Sequence, residues 1–327
     1  MTTKRGFLLA LAASASIGAI CPAFGEVYPA RPITIVVPFP AGGPTDTVGR
    51  ILAERMHASL GKVLTIENVA GAGGAIGVGR VARAQPDGYT IALGILNTHV
   101  VNGAIYKLQY DVVNDFEPIA LLANTLLLII AKAAVPANDL TGLNAWMQAN
   151  PDKASLGTGG VGSPQHIAGI LFQQLTDTRF QFVHYRGAAP LMQDLVAGQI
   201  DITIDAPAIS LPQVRAGSIK AYAITVRTRL ASAAGIPTVD QAGLPGFYPT
   251  AWFAFFAPKG TPKPIIEKLN AATVETLAAL EVGARFADLG VELFPRDEQT
   301  PAALAAVQKA DIEKWWPIIK AAGIKAE

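Results

Sequence analysis

The sequence predicts an α/β fold in two lobes, and three observations predict it. Four times, a strand-like run gives way to a glycine-rich turn and then to a helix-like run. Two of these units lie early in the chain and two lie in its middle. The chain has 327 residues, a length that usually divides into two cores rather than growing one.

Ile33 to Pro38 is the first strand-like run, and Gly42-Gly43 leads it into a helix near Thr45 to Leu60. Val48, Ile51, Leu52, Met56 and Leu60 share one face of that helix, and Gly61 ends it. Val63 to Asn68 then leads through Gly71-Ala72-Gly73-Gly74 to a helix around Ala75 to Ala84. Phe116 to Ala131 reads as one long strand running from the first lobe to the second. The third unit runs from Ala154 to Thr158, through Gly159-Gly160-Val161-Gly162, into a helix at Pro164 to Leu175. The fourth runs from Phe180 to Tyr185, through Arg186-Gly187, into a helix ending near Gly198. Ile202 to Asp205, Ala221 to Val226 and Ala251 to Ala257 read as further strands. Helices finish the chain, the last at Thr300 to Ala322 with Trp315 and Trp316. Largely parallel sheets are expected, with open turns at the carboxyl ends of their strands. Residues 26–124 and 229–327 are expected to form one lobe and residues 125–228 the other, joined by two crossings.

The first 25 residues read as a signal peptide. Lys4 and Arg5 make a basic start, and Phe7 to Ile20 is an apolar run too short to span a bilayer comfortably. Ala23-Phe24-Gly25 places small residues before a cleavage point at Glu26. A membrane anchor is the alternative. Lipid attachment at Cys21 is disfavoured by the bulky Ile20 before it. Cys21 is the only cysteine, so the mature chain has no thiol for catalysis, disulfides or thiolate metal sites. The chain holds 26 Lys+Arg and 25 Asp+Glu. That balance offers no basic footprint for nucleic acid. Past Ile20 no stretch is both long and apolar enough to span a membrane, because Asn124, Thr125 and Lys132 interrupt Leu121 to Val135.

The turns decide among chemistries. No Gly-Lys-Ser/Thr follows Gly42-Gly43, so the first turn is not a P-loop. GAGGAIGVG (71–79) approaches a dinucleotide fingerprint, but Ile76 stands where the third glycine belongs. His57, His99, His166 and His184 stand at no metal-ligand spacing. Ser163, His166 and Asp205 can be assembled on paper as a hydrolase triad, which makes an exported serine hydrolase the rival reading. Yet Ser163 is outside a GxSxG elbow, and Ser163-Pro164 before an apolar helix reads as an N-cap followed by proline at N1. Helix N-termini behind glycine turns remain. Each exposes unpaired N–H groups and the positive end of a dipole, and several facing one another would hold an anion. A carboxylate suits such a site better than a polyphosphate, given the missing lysine and Mg²⁺ ligands. Asp46 is expected to cap its own helix, or to sit at N1 behind a Thr45 cap, or to order a bridging water. Phe39 is expected either against an apolar ligand chain or in the core.

YPARPITIVVPFPAGGPTDTVGR (28–50), ENVAGAGGAIG (67–77), PDGYT (86–90), LGTGGVGSPQHIAG (156–169), HYRGAAPLMQDLVAGQID (184–201), PTVDQAGLPGF (237–247) and APKGTPKPIIEKLN (257–270) together resemble the extracytoplasmic solute receptors of tripartite tricarboxylate transporters, the Bug family. The resemblance spans the mature chain. It implies a periplasmic binding protein of type II topology that closes on a small carboxylate and docks, as a monomer, on a membrane permease, with no cofactor and no covalent chemistry. A periplasmic sensor subunit is the alternative within the same class. The resemblance implies that the turn with Phe39, Ala41, Gly42, Gly43, Thr45 and Asp46 and the turn with Gly71, Ala72, Gly73 and Gly74 grip one carboxylate. Asn97 and Thr98 approach from a third loop. Thr158, Gly159, Gly160, Gly162, Ser163 and His166, the turn Tyr185-Arg186-Gly187, and Asp205 face them from the other lobe. Two departures bear on pocket shape: ENVAGAGG lacks the family's usual basic residue and proline, and DITIDAPA (201–208) sets a proline close behind Asp205.

Overall fold

The computed structural model describes residues 28–151, 153–226, 233–249, 251–321 and 323–325. The signal peptide, Cys21 and the lobe boundary at 228–229 lie outside the described residues.

The chain builds two sheets. The first takes β1 (Ile33–Val37), β2 (Leu64–Asn68), β3 (Thr90–Ile95), β4 (Phe116–Thr125), β10 (Ala251–Pro258) and β11 (Val291–Leu293). The second takes β5 (Leu128–Lys132), β6 (Ser155–Thr158), β7 (Gln181–His184), β8 (Ile202–Asp205) and β9 (Ile219–Ile224). The strand orders are β11-β4-β10-β3-β1-β2 and β7-β6-β8-β5-β9. Read from β2 and from β7, both sheets run second, first and third strand, then a strand that follows a crossing, then a fourth. In each sheet the three leading strands are mutually parallel. The inserted strand, β10 or β5, is antiparallel to both its neighbours. The sheets are therefore mixed, not largely parallel. The fourth place in each goes to a strand that arrives from the other half of the chain, in the reverse direction.

Helices cover both faces of each sheet, which explains the near-continuous apolar strands. Of β1, Ile33, Ile35 and Val37 pack with residues of α1 (Pro44–Leu60), α8 (Lys263–Leu277) and α9 (Leu280–Asp288). Val36 faces the opposite layer, with residues of α2 (Ala75–Ala82), α3 (Asn102–Ile105) and α10 (Pro301–Ala321). The second sheet alternates likewise. Ile129 and Ala131 of β5 join α4 (Leu140–Ala149) and α5 (Pro164–Thr176), while Leu128 and Ile130 join α6 (Ala188–Val196) and α7 (Pro207–Arg215). One apolar cluster holds both Val36 and Phe256 of the first sheet and Ile129 and Leu156 of the second.

The long strand expected over Phe116 to Ala131 breaks at Leu126-Leu127. Leu126 N–H donates to Gly290 O at 3.2 Å. Leu127 N–H donates to Thr225 Oγ1 at 3.0 Å, and Thr225 N–H returns a bond to Leu127 O at 2.9 Å. Both leucines are buried, so composition hides the break. The strand expected over Ala221 to Val226 lies two residues earlier. Segment 233–249, which the sequence reading places with the first lobe, packs on the second sheet instead. Phe247 meets Phe172 of α5 edge-on at 5.4 Å, and Thr238 bridges Ile224. Apolar Val239, Leu244 and Phe247 drive that docking.

Candidate ligand-binding site

The carboxyl ends of β1, β2 and β3 carry three turns, each tied by hydrogen bonds to its neighbour. Gly43 is the N-cap of α1, with Pro44 at N1, so neither Thr45 nor Asp46 caps that helix. Asp46 is buried at the third helical position and reaches back across the turn. Its Oδ2 accepts from Gly42 N–H at 2.8 Å and from Arg50 Nε at 2.9 Å. Its Oδ1 accepts from Asn68 Nδ2 at 2.9 Å, and the same amide donates to Phe39 O at 3.0 Å. Burial alone would raise the Asp46 carboxyl, but bonds from Arg50, Gly42 and Asn68 outweigh it and hold the pKa at about 2. Both carboxylate oxygens are therefore occupied by the protein. Phe39 is half-buried against the α1 face of the sheet.

Gly71 to Gly74 all have positive φ, Ala72 included at 46°. Gly74 also needs its missing side chain, since a Cβ there would sit 2.6 Å from Thr98 Cγ2. The turn is held from β3's end. Asn102 Nδ2 donates to Gly73 O at 2.9 Å, and Asn97 Nδ2 reaches the same oxygen at 3.4 Å. Asn97 and Thr98 open a single π-helical turn over Asn97–Val101, a form frequent at functional sites. The Thr98 hydroxyl bonds Ile95 O at 3.0 Å and lies 3.0 Å from His99 Nδ1, so it serves its own turn.

From the second sheet, Thr158 at the end of β6 opens the Gly159–Gly162 loop. Ser163 caps α5 as expected, accepting His166 N–H at 3.3 Å, with Pro164 at N1. His166 Nδ1 accepts from Gly162 N–H at 2.9 Å. Burial, with neighbouring His184 second, lowers the His166 pKa to about 4, so its ring is neutral near pH 7 and carries its proton on Nε2. Asp205 ends β8. Its Oδ1 accepts from Gln165 Nε2 at 3.0 Å and from Ala206 N–H at 2.8 Å. Asp205 does not bond His166, and Ser163 meets His166 only at its backbone, so no hydrolase relay forms. Tyr185 N–H donates to Thr158 O at 2.8 Å, and its hydroxyl donates to Asp194 at 2.7 Å. Arg186 is exposed, and Gly187 caps α6.

The two sets of turns meet. A Cβ on Gly162 would lie 2.6 Å from Ile105 Cδ1, 3.3 Å from Val101 Cγ1 and 3.7 Å from Asn97 Oδ1. The loop after β6 thus packs on the segment after β3. The helices α1, α2, α5, α6 and α7 follow the carboxyl ends of β1, β2, β6, β7 and β8, each beginning with first-turn amides that lack intrahelical partners. Sequence reasoning missed Arg50, Asn68, Asn102 and Gln165. Each is a polar residue that reads as solvated surface until the partner strand or turn is known. The fifth strand-to-helix turn, at Asp205-Ala206-Pro207, has no glycine to announce it. Among the described residues, no three histidine, cysteine, aspartate or glutamate side chains are grouped to hold a metal ion.

Residues 48–324 match the family model described as tripartite tricarboxylate transporter family receptor. The periplasmic binding protein BugD is 38% identical; the match covers 92% of this chain and 100% of BugD, with a TM-score of 0.79. MatC from Rhodopseudomonas palustris, solved with bound malate, is 38% identical over 89% of this chain and 100% of its own, with a TM-score of 0.79. Another R. palustris protein, solved with adipate, is 31% identical over 91% and 99%, with a TM-score of 0.82. The chain therefore belongs to the TctC, or Bug, family of tripartite tricarboxylate transporter receptors, a family of binding proteins and not of enzymes.

Proposed function

We propose that this receptor captures a small organic carboxylate in the periplasm, between the turns of β1–β3 and those of β6–β8, and delivers it to a tripartite-type permease as a monomer. The observation that carries the reading is the seating of Gly162 against Val101 and Ile105, which sets the glycine loop after β6 on the segment after β3. In this reading the turns at Gly42–Asp46 and Gly71–Gly74 hold the carboxylate through backbone N–H groups. Asn97 and the turns at Thr158–Ser163, Tyr185–Gly187 and Asp205 complete the enclosure. Relatives solved with malate and with adipate support a carboxylate and leave its length open. Ligand that bridges both sheets favours the closed arrangement over the open one.

A thermal-shift screen of the mature protein against small carboxylates, with matched amides, tests the reading. Stabilisation follows RT ln(1 + [L]/Kd), so a ligand at a thousand times its Kd adds about 4 kcal/mol. The expected result is a clear shift with at least one acid and none with its amide. If refolded, ligand-stripped protein shifts with no acid, the reading fails.

A further inference from the structure

Buried polar groups are nearly always paired, and leaving one unpaired costs about 1–3 kcal/mol. Two side-chain oxygens at the meeting turns break this rule: Asn97 Oδ1 and Asp205 Oδ2 are buried and have no partner among the described residues. Of the other such atoms, His99 Nε2 belongs to a ring stacked on Phe256 at 3.9 Å, Ser210 Oγ lies within α7, and Asn144 Oδ1 and Thr276 Oγ1 lie on α4 and α8. Asn97 and Asp205 are 6% and 2% exposed. They stand at the carboxyl ends of β3 and β8, one on each sheet, and both are linked to the first turn of α5. Asn97 Oδ1 lies 3.7 Å from the Cβ position of Gly162, while Asp205 is held by Gln165, whose Oε1 lies 3.3 Å from the Cβ position of Gly159.

The chemistry of the pair is one-sided. The Asn97 amide spends its N–H groups on Gly73 O and Asn102 Oδ1, each at 3.4 Å, which leaves its oxygen as an acceptor. Asp205 takes two donors on Oδ1 and none on Oδ2, and because burial raises its carboxyl, a donor delivered to Oδ2 is what would hold it in the ionised, acceptor form. A plain carboxylate has only acceptors to offer these two oxygens. We propose that Asn97 Oδ1 and Asp205 Oδ2 read a hydrogen-bond donor on the ligand's carbon chain, so that the preferred ligand is a hydroxy- or amino-substituted carboxylate rather than its unsubstituted parent. This inference rests on the carboxylate-receptor reading above. Discrimination of this kind is strong in principle, because an analogue without the donor leaves the site's buried acceptors unpaired.

Calorimetric titration of the ligand-stripped receptor with matched pairs tests it: L-malate against succinate, lactate against propionate, and mandelate against phenylacetate. L-aspartate beside L-malate tells an ammonium from a hydroxyl. The expected result is that the substituted member of whichever pair fits binds at least tenfold tighter than its parent. In Asp205→Asn, which sets an amide N–H where an unpaired oxygen stood, the ratio of the two affinities should fall toward one; a ratio unchanged from that of the unaltered receptor overturns the role of Asp205. A parent acid that binds the unaltered receptor as tightly as its substituted partner overturns the inference and leaves the receptor reading standing. Binding of none of these acids, nor of any other carboxylate, overturns both.

Discussion

Asp46 is a small hub with four attachments. It holds the Gly42 amide, the Arg50 guanidinium and the Asn68 amide, and through Asn68 it reaches Phe39 O. An anion beside the proposed anion site looks misplaced, yet its charge is already matched inside the protein. Removing it leaves the donors of Gly42 and Asn68 without that acceptor, at about 1–3 kcal/mol for a buried group. Asp46→Ala is expected to weaken carboxylate binding at least tenfold while the receptor stays folded, which titration and circular dichroism would check together. Unchanged affinity would remove Asp46 from the site. The sign of its pH effect follows from a pKa held at about 2, below the ordinary 3.8. The stabilisation is fully present above about pH 4 and is lost as pH falls through 2. The stability gap between the native protein and Asp46→Asn should therefore shrink on acidification. Its role as a tie was not legible in sequence, because the partner that decides it, Asn68, lies at the end of β2, remote from α1 along the chain.

At the scale of elements, the glycine turns are what sequence reveals best and the pairing of strands what it reveals least. Gly42-Gly43, Gly71–Gly74 and Gly159–Gly162 announce themselves locally, as do the Ser163 cap and the Gly61 stop. Nothing local marks β10 as the strand between β3 and β4, since that place depends on contacts more than a hundred residues apart. The break at Leu126-Leu127 is hidden for the same reason: two leucines continue an apolar run, and only the sheets they leave and enter separate them. The Gly162 loop is the element where a small change should be felt most. It has φ +72° and no room for a Cβ beside Ile105. Gly162→Val should push the loop off Val101 and Ile105, lower affinity at least tenfold and enlarge the ligand-bound radius of gyration in X-ray scattering. Native affinity and native dimensions in that variant would show that the contact is not part of closure.

For the whole molecule, the two sheets share one strand order and one continuous apolar cluster. Val36, Leu96 and Phe256 on one side and Ile129, Leu156 and Phe172 on the other belong to the same buried body. A shared core couples the unfolding of its parts, so the ligand-free receptor is expected to melt in a single calorimetric transition, with calorimetric and van't Hoff enthalpies in agreement. Two resolved transitions would mean that the halves are held separately. The crossings add a mechanical consequence. The exit after Thr125 and the return at Ala251 run side by side, since Thr125 and Ala251 are partners in the antiparallel β4–β10 ladder. Two ties stitched together in this way act as one line of flexure: they permit rotation about that line and resist torsion across it. Relative motion of the halves is therefore expected to be a hinge rotation about that line, which would bring turns that part on opening back into the same register on return.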